Sequence, residues 1–167
     1  AANDRRLADE DAHFNEEKKK YLDWIPVCAK EQGINEFLVS FSYPFQVVAP
    51  LDITNKDIED SCADTAVYVI SRNSGEGSDR YDKRGDYLLY EEEKAQLELL
   101  GKSYAATIVV LNTGGLIDMS EIKEIEGINA VVLMGQLGNI GGDVLADVLA
   151  GKVNPSGKLT DTWAKRY

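Results

Sequence analysis

Basic residues are scarce in this chain: 18 lysines and arginines stand against 29 aspartates and glutamates among 167 residues, a net charge of -11. A nucleic-acid backbone needs a basic footprint, so this balance argues against nucleic acid, and equally against an anionic membrane surface. Cysteine is nearly absent. Cys28 and Cys62 are the two present, they lack CxxC spacing, and they are too few for a disulfide framework; both are expected as free thiols or core fillers. The one histidine, His13, lies in a polar stretch with no cysteine cluster, which argues against a zinc site. It is also remote from any nucleophile-like turn, which argues against a Ser or Cys triad. No apolar run approaches the ~20 residues of a membrane-spanning helix. No signal peptide is visible, which favours a cytoplasmic location. The chain opens on AANDRR without an initiator Met, as a fragment cut from a longer protein does. No metal or cofactor is expected.

What is present is an ordinary globular composition, 44% hydrophobic and 28% charged, in a length suited to one domain over residues 1–167. Residues 1–13 are polar and read as a frayed lead-in. From Phe14 to Lys30, Tyr21, Trp24, Ile25 and Cys28 recur at helical spacing; Pro26 threatens a kink and Gly33 offers a stop. The alternation of Phe37, Val39 and Phe41 suggests a strand or extended segment, limited by Pro44 and Pro50. An acidic helix over Asn55–Ser61 follows, with Thr54 as its cap and Asp57 three residues on.

The second half alternates. A strand over Thr65–Ser71, unbroken in apolar and β-branched residues, reads as buried on both faces. A helix over Glu91–Tyr104 precedes a strand over Ala106–Leu111. A short helix over Ser120–Glu126 leads to a strand over Ala130–Met134, and a final helix over Ile140–Ala150 ends at Gly151. Such alternation implies parallel strands with helices on both faces: an α/β fold, a three-layer α/β/α sandwich with a mostly parallel central sheet.

The first strand runs into RNSGEGSDR, where Gly75 and Gly77 flank Glu76, followed by Asp79 and Arg80. Glycines free the backbone for unusual angles, and open α/β sheets bind ligands beyond the carboxyl ends of their strands. Glu76 is therefore the candidate for chemistry, with Arg80 in reach of Asp79 or Glu76. A solvated acidic loop is the plainer alternative. The G-x-G pattern lacks the third glycine of a dinucleotide fingerprint, and no Walker sequence is present, so a nucleotide site has little support. GNIGGDVLADVLAG offers helix N-terminal amides to an anion, but a tight turn with helix packing is the preferred reading. Asp143 and Asp147, one turn apart, read as a solvated face.

The segments ISRNSGEGSDR, VVLNTGG and GQLGNIGGDVLADVLAGKVNPSGKLTDTW together resemble glycoside hydrolase family 3, in the α/β sandwich domain of its β-glucosidases. The resemblance runs from about Asp52 to the C-terminus; Thr160 stands where that family usually has a proline. It implies a sugar pocket shared with a TIM-like barrel domain that carries an aspartate nucleophile. It also implies that Glu76, in the G-E-G-x-D-R sequence, is the acid/base carboxyl, with Gly75, Gly77, Asp79 and Arg80 supporting its loop. The implied activity is retaining hydrolysis of terminal β-D-glucosyl or related residues from an oligosaccharide or β-glucoside. A (β/α)₈ barrel needs about 250 residues, so the chain alone is expected to be inactive. The alternative is a non-catalytic α/β module that holds a sugar or a nucleotide.

Overall fold

A computed structural model describes residues 2–45, 48–73 and 79–163. The chain forms two compact units, Ala1–Cys62 and Ala63–Tyr167.

The first unit is helical. Helix α1 runs over Ala2–Gln32, α2 over Glu36–Ser42 and α3 over Asn55–Ser61. The expected frayed lead-in is instead the first part of α1. Contacts distant in sequence hold it: Arg6 donates to the carbonyls of Leu51 and Asp52 at 2.7 and 2.9 Å, and Glu10 accepts from the Leu51 amide at 3.2 Å. Pro26 lies inside α1 without ending it, and Gly33 does end it, at a φ of +67°.

The extended segment expected around Phe37–Phe41 is also corrected. Asn35 caps α2, its side-chain oxygen accepting from the Leu38 amide at 2.9 Å. Only Val39 of α2 is buried, in a small core with Ile25, Cys28 and Ala29. A helix this short buries one position and leaves Phe37 and Phe41 exposed, so period-2 alternation in the sequence was misleading. Helix α3 forms as expected, with Thr54 and Asp57 making a reciprocal capping box.

The second unit carries the sheet. Strands β1 (Thr65–Arg72), β2 (Ala106–Thr113) and β3 (Ile128–Leu133) lie in the order β1-β2-β3, all parallel. Helices α4 (Glu91–Ser103) and α5 (Ser120–Glu124) occupy the crossovers, and α6 (Gly141–Leu149) follows β3. This is an α/β fold built on a parallel sheet. Successive side chains of a strand point to opposite faces. One face presents Ile70, Val109 and Leu111 to Leu97 of α4, Ile122 of α5, and Leu89 and Ile117 of the connections, forming the main core. On the opposite face of β1, Val67 and Val69 are 45% and 48% exposed. The strand is therefore half-buried, because its apolar run is continuous in sequence but covered on one side.

Register places the carboxyl ends of β1 and β2 together, with Ser71 beside Asn112 and Arg72 beside Thr113. That edge is where the connection after β1 begins.

Candidate functional site

Arg72 is the last residue of β1 and shares the buried face with Ile70. A guanidinium brought into a core needs a carboxylate and acceptors for its remaining donors. Glu93, in the first turn of α4, supplies the carboxylate: the two groups meet at 2.6 and 2.8 Å. Arg72 also donates to the carbonyls of Ser71 at 2.8 Å, Asp86 at 2.9 Å and Leu88 at 3.4 Å. Glu93 takes a further bond from the Tyr90 amide at 2.8 Å, closing the N-terminus of α4. The Tyr90 ring lies 5.7 Å from the guanidinium. Burial pushes the Tyr90 phenol above its usual value, and the Arg72 charge opposes that shift.

Residues 81–89 fold back in a run of turns. Gly85 sits at a φ of +79°, and a Cβ there would come within 2.1 Å of the Tyr90 ring, so both the angle and the space demand glycine. Arg84 ties this segment to α5 through an ion pair with Glu121, and adds Glu91 at 2.9 Å. Lys94 joins the same carboxylate at 3.2 Å.

Arg80 donates to the carbonyl of Asn73 at 2.8 Å and to the Asp86 carboxylate at 3.1 Å. The second Asp86 oxygen accepts from the Tyr81 amide at 3.0 Å. Among the described residues, the carboxylate that meets Arg80 is thus Asp86, whereas Asp79 is exposed. Gly75, Glu76 and Gly77 lie outside the described residues.

The other sequence candidates separate from this edge. The GNIGG turn forms a short 3₁₀ segment, Gly138–Ile140, ahead of α6. A Cβ on Gly141 would approach Met134 within 2.8 Å, so this glycine serves close packing. Asp143 is exposed, and Asp147 pairs with Lys152 at 2.8 Å, which makes them a solvated face. Among the described residues, no group of three or more His, Cys, Asp or Glu side chains is placed to hold a metal, and no helix is long and apolar enough to cross a membrane.

Reading from the sequence missed Arg72, Glu93 and Asp86. The signal for Arg72 was parity: it falls two residues after Ile70, on the core face, where an arginine requires a partner. Glu93 was visible as the third residue of a helix opening on three glutamates. Asp86 carried no local signal, since only tertiary turns bring it beside Arg80.

Residues 20–167 match the glycosyl hydrolase family 3 C-terminal domain. The chain is 38% identical over 126 residues to beta-glucosidase A of Butyrivibrio fibrisolvens, covering 62% of this chain and 15% of that protein. It is 40% identical over 115 residues to a beta-glucosidase of Ruminococcus albus, covering 69% of this chain and 12% of that protein. Among solved structures it resembles a beta-glucosidase from Paenibacillus barengoltzii, with a TM-score of 0.68 and 31% identity over 78% of this chain and 16% of that one. The chain therefore spans less than a fifth of the length of each.

Proposed function

The chain belongs to the glycosyl hydrolase family 3 C-terminal domain family, and from that membership we propose that it is the sandwich domain of a retaining β-glucosidase-like enzyme, supplying the acid/base carboxyl from Glu76. The observation that carries the proposal is the carboxyl end of β1, which GEGSDR follows in the sequence. That strand ends with Arg72 at the carboxyl edge of a parallel α/β sheet, where such folds hold their ligands, and Arg80 donates to the carbonyl of Asn73 just beyond it.

Two carboxyls about 5–5.5 Å apart suit a retaining reaction. An aspartate on a barrel domain elsewhere in the full-length protein attacks the anomeric carbon. Glu76, protonated, gives its proton to the glycosidic oxygen as the bond to the aglycone breaks. The resulting Glu76 carboxylate then takes a proton from water, whose oxygen attacks the anomeric carbon and releases the aspartate. The 167-residue chain, without that nucleophile, is inactive on its own.

The test is hydrolysis of aryl β-glucosides by the full-length protein, wild type against Glu76→Ala, with good and poor leaving groups and with added azide. The expected result is loss mainly on poor leaving groups, and turnover restored by azide as a β-glucosyl azide. Near-normal rates on both substrates would remove Glu76 from the role.

A further inference from the structure

Helix α2 carries four apolar residues, Phe37, Leu38, Val39 and Phe41, and they are spread around the helix instead of lying in one stripe. A helix that is apolar all round is an interior element, yet only Val39 is buried, against Ile25, Cys28 and Ala29. Phe37 and Phe41 lie one turn apart on the side away from Val39, and they are 76% and 61% exposed; Leu38, on the flank, is 43% exposed. Beside Phe37 an open groove of about 690 Å³ runs between the end of α1 and the start of α2, lined by Pro26, Ala29, Ile34 and Phe37, with Lys30 and Glu36 as its charged members.

The two rings are presented from a fixed helix. Asn35 caps its start. At its end the Tyr43 amide donates to the Val39 carbonyl at 2.8 Å, and the Tyr21 hydroxyl of α1 donates to the Tyr43 carbonyl at 2.9 Å. A surface ordered in advance loses less freedom when it binds. Single apolar residues on a surface are ordinary. Two phenyl rings one turn apart, beside an apolar groove, form a contiguous patch of the kind that marks an interaction site, and aromatic residues are enriched at such sites. The chain spans 15%, 12% and 16% of the Butyrivibrio, Ruminococcus and Paenibacillus proteins. In a protein built like those, most of the polypeptide lies outside these 167 residues. A domain tethered in the same polypeptide meets α2 at a far higher effective concentration than a second copy does.

We propose that α2 is a docking element for another domain of the same full-length polypeptide, with the Phe37 and Phe41 rings as anchors that enter an apolar recess of that domain. The inference rests on the reading of this chain as one domain of a longer enzyme, and it is independent of the role given to Glu76.

The experiment is hydroxyl-radical footprinting of the unmodified side chains, read residue by residue by mass spectrometry, on the full-length protein and on the 167-residue chain at several concentrations. Phe37 and Phe41 are expected to oxidise readily in the chain and at least about fivefold more slowly in the full-length protein, as burial at the centre of an interface demands. The slowing should not depend on the concentration of the full-length protein. Equal rates in the two proteins would leave the rings bare and overturn the proposal. Slow oxidation in the chain while it is monomeric by light scattering would place the cover within these 167 residues, and slowing that tracks concentration would make a second copy the occupant; either overturns it. Phe37→Ser with Phe41→Ser supplies a second readout: limited proteolysis should cut the full-length variant faster than wild type between its domains, with the chain's own digestion rate unchanged. If that variant does not fold, the footprint of the unmodified protein decides. The rates of Glu76→Ala on aryl glucosides do not enter this test, so either reading can fail alone.

Discussion

The guanidinium of Arg72 and the carboxylate of Glu93 meet at two points, 2.6 and 2.8 Å, inside the second unit. The pair joins the end of β1 to the first turn of α4, so one contact connects a strand, a helix and the start of the candidate site. Removing one partner leaves the other charge buried and unpaired, which costs about 3–5 kcal/mol. Glu93→Ala is therefore expected to lower unfolding free energy by that order in denaturant titrations of the chain. The double variant Arg72→Met with Glu93→Leu should lose less than Glu93→Ala, since no charge is then stranded. A Glu93→Ala loss under about 1 kcal/mol would mean that the site solvates itself when the carboxylate is removed.

The first unit makes a more local prediction. The hydroxyl of Thr54 accepts from the Asp57 amide at 3.3 Å, and the Asp57 carboxylate accepts from the Thr54 amide at 2.9 Å. Thr54→Ala removes one half of this box and should cost about 1 kcal/mol. Amide exchange in the first turn of α3 should quicken in the variant, with exchange in β1 to β3 unchanged. An effect spread equally over the sheet would contradict a local capping role.

These contacts show what the sequence could and could not reveal. The Thr54 cap, the Gly151 stop and the strand–helix alternation of the second half are local signals, each read within a few residues, and the structure forms all three. The first unit resisted the same reading. Arg6 and Glu10 look like solvent-facing charges until Leu51 and Asp52 come alongside them, and Asn35 turns an alternating pattern into a helix by capping it. At the candidate site, Glu76 stood out through its glycines and its motif. The Asp86–Arg80 contact depends on the turns between residues 81 and 89, which no periodicity encodes.

A close backbone approach gives the next prediction. Gly127 lies at a φ of +88°, and a Cβ there would fall 2.1 Å from the carbonyl oxygen of Gly101 in α4. Gly151 has a similar angle, +70°, with nothing within 4 Å of the added atom. Gly151→Ala meets only the left-handed backbone penalty, about 1–2 kcal/mol. Gly127→Ala meets that penalty and a clash between two main chains, so its loss should reach about 2–5 kcal/mol. Comparing the two variants by denaturant unfolding separates angle from space. Equal losses would show that α4 and the turn before β3 can move apart at little cost.

Acid should weaken the second unit in part through Glu121. The hydrogen bond from Arg84 is the main cause holding its carboxyl below the usual glutamate range; burial opposes this and Lys94 reinforces it. A carboxyl depressed in the folded state is charged there at pH values where the unfolded chain already takes up a proton. Its contribution is thus complete above the unfolded value of about 4.3 and disappears as pH falls through the lower folded value. Glu121→Gln, which has no such charge to lose, should be less stable than wild type at pH 7. The two should converge as the pH is lowered below about 4. Unfolding midpoints of both proteins between pH 7 and pH 3 test this directly. A constant difference across that range would mean that the carboxylate charge of Glu121 contributes nothing and that its bonds to Arg84 and Lys94 act through shape alone.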